Sequence, residues 1–264
     1  MALATLDIER DKFNCRVDGP PDAPVLVLSN SLGTDLSMWD AQMPALTARF
    51  RVLRYDTRGH GASIVTPGPY TIGELGRDVL MLLDALKIRR AHFCGLSMGG
   101  MTGMWLGVHA SDRIGRMVLA NTAPKIGTAE IWNQRIDNVR KGGMEAIVDT
   151  LLERWFTAGY RARAPEAVAR MRAMLTTTPA EGYIACCAAV RDMDQRDAIA
   201  GIRHPTLVIA GTHDAVTPPA EGRATAERIR GARYVELNAA HISNVEAADR
   251  FTAEAVAFIA GESA

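Results

Sequence analysis

Gly95-Leu96-Ser97-Met98-Gly99-Gly100 is the stretch that decides the fold. It matches the pattern G-x-S-x-G. Before it stands Ala91-His92-Phe93-Cys94, an apolar run of strand length ended by Gly95. After it, Met98 to His109 reads as a helix with small residues in its first turn. The bare pattern is short and common, so the context carries the meaning: a serine on a sharp strand-to-helix turn lifts its hydroxyl above a sheet. Glycines two before and two after leave room for the bend. The Met98 N–H then lies near a helix N-terminus, where a developing oxyanion is stabilised. The plain alternative is a glycine-rich turn that does no more than pack tightly.

The pattern on either side of this turn extends the reading. Leu3 to Glu9 alternates as a strand, and Phe13 to Val17 pairs with it as a hairpin. Gly19-Pro20-Pro21-Asp22-Ala23-Pro24 is a turn that cannot be helical. Val25 to Leu28 is a continuous apolar run, as a strand buried on both faces of a parallel sheet requires. Trp39 to Phe50 has helical character, and Val52 to Tyr55 is a further strand. Ile72, Leu75, Val79, Leu82, Leu83 and Leu86 recur at steps of three and four, which predicts a helix with one apolar stripe. Arg116 to Ala120 is the fourth buried strand. From Pro124 to Arg203 the segments are helical, Ala146 to Phe156 and Pro165 to Leu175 most clearly. The strand–helix rhythm resumes with Thr206 to Ala210, Glu221 to Arg230, Tyr234 to Leu237 and a last helix from Val245 to Ile259.

These alternations predict an α/β fold: a mostly parallel sheet flanked by helices, with a helical cap inserted after the fourth buried strand. The core takes residues 1–123 and 204–264, and the cap takes 124–203. Hydrophobic residues make up 48% of the 264-residue chain, enough for a sizeable packed core. Lys plus Arg and Asp plus Glu balance at 30 each, so no global field favours nucleic acid or an anionic membrane. No apolar run is long enough to span a bilayer, since Val79 to Leu86 is broken by Asp84. Asp7, Glu9 and Arg10 follow no basic region, so no secretory signal is visible and a cytoplasmic protein is expected. Cys15, Cys94, Cys186 and Cys187 show no metal spacing and read as reduced thiols.

A serine is a poor nucleophile at its free pKa; it needs a base, and the base needs orienting. Gly211-Thr212-His213-Asp214 follows the strand ending at Ala210, and Asn238-Ala239-Ala240-His241 follows the strand ending at Leu237. Both place titratable groups just past strand C-termini, where sites in open α/β sheets collect. Ser97 is therefore expected as nucleophile, His241 as general base and Asp214 as the acid that orients it. His213 is the competing base, but adjacent loop residues point apart. Asp56 competes with Asp214 and is disfavoured by chain order. His60, in Asp56-Thr57-Arg58-Gly59-His60-Gly61, is expected to hydrogen-bond within the structure. His92, His109 and His204 read as structural. The second oxyanion donor is expected from Ser29-Asn30-Ser31-Leu32-Gly33-Thr34, with the Leu32 N–H paired to that of Met98. Trp132 and Arg135 are three apart at the start of the first cap helix and share a face. A solvated arginine beside a core tryptophan is the plainer reading of that pair.

Over nearly its whole length the chain resembles the α/β-hydrolases. The residues that carry this are the elbow at Ser97, the Asp56 to Ser63 loop and the Ser-Asp-His order. Many members carry His-Gly at the oxyanion loop; here Asn30-Ser31 stands in its place. With Leu32-Gly33-Thr34-Asp35, Met38-Trp39, the Trp132 region and Tyr183 to Asp192, the chain closely resembles the 3-oxoadipate enol-lactonases of the β-ketoadipate pathway. That resemblance implies a five-membered enol lactone with an acetate side chain as substrate. It also implies a serine acyl-enzyme and no metal or organic cofactor. The substrate's carboxylate asks for a bidentate cation, and Arg135 against a Trp132 wall supplies one. A small anionic lactone is the expected partner, and the protein itself a monomer or small homo-oligomer. Related carboxylesterases and perhydrolases share many of these features, so a broad esterase or perhydrolase with the same triad stays open. So do hydrolysis of carbon–carbon bonds in ring-cleavage products and a hydrolase-fold binding protein without catalysis.

Overall fold

The computed structural model describes residues 3–8 and 11–262, with side chains from Lys12 onward. The end of the predicted first strand at Glu9, and Arg10 beside it, lie outside the described residues. Eight strands form one sheet: β1 (Leu3–Ile8), β2 (Asp11–Asp18), β3 (Val25–Ser29), β4 (Arg51–Tyr55), β5 (Ala91–Leu96), β6 (Ile114–Ala120), β7 (Thr206–Gly211) and β8 (Arg233–Leu237). Their order across the sheet is β1-β2-β4-β3-β5-β6-β7-β8. β1 and β2 form the expected antiparallel hairpin, and β2 runs antiparallel to β4. All other neighbours are parallel.

Burial explains why the parallel strands read as unbroken apolar runs. Successive residues of a strand point to opposite faces, and here both faces are covered. Leu26, Leu28, Leu96, Val118, Leu207 and Ile209 enter one core. Val27, Phe93, Met117, Leu119 and Val208 enter the other. The helices α1 (Met43–Thr47), α2 (Ile72–Ala85) and α3 (Met98–His109) connect the first half of the sheet. In α2 the predicted stripe Ile72, Leu75, Val79, Leu82 and Leu83 is buried, and Thr71 caps the helix by accepting the Glu74 N–H at 3.1 Å. Such a cap contributes about 1 kcal/mol.

Between β6 and β7 five helices intervene: α4 (Ala129–Gly142), α5 (Glu145–Trp155), α6 (Ala158–Arg163), α7 (Pro165–Thr177) and α8 (Ala180–Asp192). The chain closes with α9 (Pro219–Arg228), α10 (Ser243–Glu246) and α11 (Ala248–Ala260). No described helix is long and apolar enough to cross a membrane.

Several boundaries differ from the sequence reading, and three of them have a structural reason or lie at the site. Trp39 to Phe50 is not one helix: a 3-10 segment covers Leu36–Gln42, and α1 follows as a separate short helix with Pro44 in its first turn. Proline lacks the N–H that a continuous α-helix would need there. The last helix is likewise split at Ala247, whose φ of −122° and ψ of 47° leave the helical region. β5 runs through Gly95 to Leu96 rather than ending at Gly95.

The turn after β5 is held by close backbone approach. A Cβ on Gly95 would meet the Gly99 carbonyl oxygen at 2.2 Å, and one on Gly99 would meet the Ser29 carbonyl oxygen at 2.1 Å. These are fixed backbone atoms, so the strand and helix must separate to admit a methyl group. Gly99→Ala should therefore lower the urea midpoint by the equivalent of about 2 kcal/mol or more. Gly201→Ala, where a Cβ meets nothing within 4 Å, is the control. Equal midpoints in the two variants would contradict this account of the turn.

Candidate active site

The loops after β3, β4, β5, β6, β7 and β8 leave the same edge of the sheet, because these strands are mutually parallel. That edge gathers Leu32, His60, Ser97, Asn121, Asp214 and His241. Ser97 sits at φ 55° and ψ −115°, a conformation that side-chain-bearing residues rarely adopt. The strain is retained because Ser97 N–H donates to the Ala120 carbonyl at 2.9 Å and its own carbonyl accepts from Thr122 Oγ1 at 2.8 Å. Its residue is 7% exposed, and its hydroxyl faces a cavity also lined by Leu32, Met98, Trp132, Arg135 and His241.

Asp214 and His241 form the second part of the site. His241 Nδ1 lies 2.8 Å from Asp214 Oδ2, with both side chains buried. Asp214 Oδ2 also accepts from Asn121 Nδ2 at 3.0 Å and Thr217 Oγ1 at 2.7 Å. Its Oδ1 accepts the Val216 and Thr217 N–H groups at 2.7 and 3.0 Å. Burial raises the carboxyl pKa. The facing His241 ring, the hydrogen bond between them, Asn121 and the Thr217 N–H outweigh it and hold the group below its ordinary value. An ionised Asp214 fixes the ring so that Nδ1 carries the proton and Nε2 is left to act as a base. Ser97 Oγ makes no hydrogen bond among the described residues; it shares the cavity with the His241 ring. Such contacts commonly tighten only once substrate binds.

The oxyanion loop is built from its buried polar groups. Asn30 Nδ2 donates to the Tyr55 carbonyl at 2.8 Å, and its Oδ1 accepts Trp39 Nε1–H at 2.9 Å. Ser31 N–H is directed at Met38 Sδ, and Gly33 N–H donates to His60 Nε2 at 2.8 Å. The neighbouring N–H groups are thus taken up, while those of Leu32 and Met98 meet no protein acceptor among the described residues. Two unpaired amides beside a serine hydroxyl are what an oxyanion needs.

Among the described residues, no other histidine lines the Ser97 cavity or pairs with Asp214. His60 is a buried acceptor for the loop, His213 is exposed and pairs with Asn238 Oδ1 at 2.9 Å, and His92 Nδ1 accepts the Arg116 N–H. Asp56 holds Asn14, Ala62 and Leu36 by hydrogen bonds and pairs with no histidine among the described residues. Trp132 is buried, with its Nε1–H on the Ile126 carbonyl, and the Arg135 guanidinium stacks 4.6 Å from its ring centre. No carboxylate pairs with Arg135 among the described residues. Asn121 is a site residue that the sequence reading misses. It is buried at φ 45°, donates to Asp214 and to the Ala240 carbonyl, and accepts from Ser243 Oγ. A polar Asn-Thr pair ending the apolar β6 is the signal that marks it.

The sequence profile of the alpha/beta hydrolase fold matches residues 24–157, and a TAP-like protein profile matches residues 175–250. With the glycine-flanked serine and the Asp–His pair at the sheet edge, this settles the class: the chain belongs to the α/β-hydrolase family. Within it, the chain is 45% identical to 3-oxoadipate enol-lactonase 2 of Acinetobacter baylyi, over 94% of this chain and 92% of that protein. It is 41% identical to enol-lactonase 1 of the same organism, over 90% of each. The crystal structure of the enol-lactonase from Burkholderia xenovorans superposes with a TM-score of 0.96 at 51% identity, covering 97% of this chain and 100% of that one.

Burial lowers the His60 pKa to about 4, so the ring stays neutral and keeps accepting from Gly33. The unfolded chain takes up that proton below about pH 6.5. The sign follows: stability from this group is complete above pH 6.5 and is lost as pH falls toward 4, by on the order of 3 kcal/mol. His60→Gln keeps an acceptor without the titration. Urea midpoints at pH 7 and 4.5 should drop further in the wild type than in His60→Gln. The same drop in both would contradict this role.

Proposed function

We propose that this protein hydrolyses 3-oxoadipate enol-lactone to 3-oxoadipate through a serine acyl-enzyme. The observation that carries the reading is the buried Asp214–His241 hydrogen bond at 2.8 Å, opening on the same cavity as Ser97 and Arg135. The likeness to named enol-lactonases over more than nine-tenths of the chain supports the substrate.

Ser97 Oγ attacks the lactone carbonyl while His241 Nε2 takes its proton, and Asp214 stabilises the imidazolium. The Leu32 and Met98 N–H groups hold the oxyanion, each contributing roughly 3 kcal/mol of barrier lowering. Collapse breaks the ring C–O bond and expels an enolate, a better leaving group than an alkoxide. The imidazolium returns its proton to the enolate, which ketonises. Water, deprotonated by His241, then attacks the Ser97 ester, and Ser97 leaves with that proton.

Residues 124–203 act as a cap, with the core in 1–123 and 204–264. Trp132 walls the cavity from the cap side, and Arg135 meets the substrate carboxylate bidentately. The cavity is tight, with free volume of about 20 Å³, room for little beyond one water. The cap side chains must therefore move to admit the lactone. Cys15, Cys94, Cys186 and Cys187 are all buried and reduced, which supports a reducing, cytoplasmic setting.

The test is spectrophotometric loss of the enol lactone. Ser97→Ala should abolish it, and retained turnover would sink the reading. Arg135→Ala should raise KM for the anionic lactone about tenfold to a hundredfold, as loss of a charged hydrogen bond implies, and leave KM for a neutral aryl ester nearly unchanged. Equal effects on both substrates would remove Arg135 from carboxylate recognition.

A further inference from the structure

Five residues beyond His241, at the end of α10, Glu246 is 7% exposed and pairs with no Lys or Arg among the described residues. Its carboxylate is held by neutral donors from two directions. Oε2 accepts the Ala240 N–H at 2.9 Å, directly beside the histidine. Both oxygens lie 3.3 Å from the Thr157 N–H, and Thr157 Oγ1 donates to Oε1. Thr157 lies in the helical insertion, between α5 and α6, and its hydroxyl also accepts the Tyr160 N–H that starts α6.

The same stretch of the insertion grips the other side of His241. Ile242 N–H donates to the Trp155 carbonyl at 3.1 Å, and Tyr160 OH donates to the Val245 carbonyl at 3.2 Å. Trp155 in turn lines the cavity beside the His241 ring. The peptide N–H groups at 240 and 242 are thus both tied, one through Glu246 and one directly, to residues 155–157. A buried carboxylate without a cation is costly unless donors satisfy it, and a stretch of aliphatic chain would fill the space at a lower cost. Placed here, the charge makes the position of the histidine loop depend on the position of the insertion.

We propose that Glu246 is a positioning residue that couples docking of the helical insertion, through Thr157, to the orientation of the His241 ring. This rests on His241 being the general base. Displacing residues 155–157 moves the backbone on both sides of the ring and spoils its aim at Ser97. Docked, they return it. The barrier to acylation then depends on a contact that no substrate atom touches.

The test uses the full-length enzyme, with kcat expressed per serine titrated by a fluorophosphonate so that unfolded protein is not counted. Glu246→Gln and Thr157→Val should each lower kcat for the enol lactone about tenfold or more, with KM within about threefold. In both, the downfield proton resonance of His241 Nδ1–H should shift or broaden. Thr157→Ser should restore kcat and resonance together, because it keeps the hydroxyl donor. The double variant should be little worse than the poorer single one, as expected for one shared network. A wild-type kcat in both single variants, or a fall in kcat with an undisturbed His241 resonance, would overturn the proposal. His241→Ala separates this from the reading beneath it: if that variant remains active, the assignment of the base fails, whatever Glu246 does.

Discussion

A serine held at φ 55° sets the terms for the rest of the molecule. The conformation costs on the order of 1–3 kcal/mol, and it persists only where the surroundings over-determine it. Here they do so by proximity. Gly95 lets the α3 backbone approach β5, and Gly99 lets it approach the end of β3, with no side chain between. The same contacts that force the bend bring the Leu32 loop beside the Met98 amide. Strain at Ser97 and the approach of the Leu32 loop to the Met98 amide are therefore one packing event, stabilised by two cores on opposite faces of a parallel sheet.

The Leu32 loop and the Asp214 pocket divide their polar groups in two: those with a protein partner hold the scaffold, and those without one face the cavity that the proposed reaction uses. Within the loop, the structure shows what Asn30 does. Asn30 spans from the Tyr55 carbonyl to the Trp39 indole and locks the loop. His60 takes the Gly33 amide. The Leu32 and Met98 amides are left without a protein acceptor among the described residues, as the proposed oxyanion site requires. The Asp214 carboxylate, in contrast, is saturated with donors, which keeps it ionised and keeps the His241 tautomer from drifting.

What is legible in the sequence is whatever lies next to a local signal. The triad residues follow apolar runs and small-residue loops, and chain order separates Asp214 from Asp56. The α2 stripe and the buried strands are periodic over a short window. What is hidden is held by partners distant in sequence. Asn121 meets Asp214 across 93 residues, and Thr157 meets Glu246 across 89. No spacing rule announces such pairs, since the sheet order and not the chain brings them together. The break at Pro44 is readable from the missing N–H; the one at Ala247 has no such marker. In the insertion, α8 carries no strong stripe because most of its residues are buried, and α6 is a six-residue helix in which Tyr160 alone is buried.

The proposed catalysis requires that Ser97 form an ester with the opened lactone. Mass spectrometry of enzyme acid-quenched during turnover tests this most directly. Ring opening keeps the leaving group on the acyl chain, so the trapped protein should gain the mass of one intact lactone, on the peptide containing Ser97. Turnover with unmodified enzyme throughout the pre-steady state, or the adduct on another residue, would contradict the account.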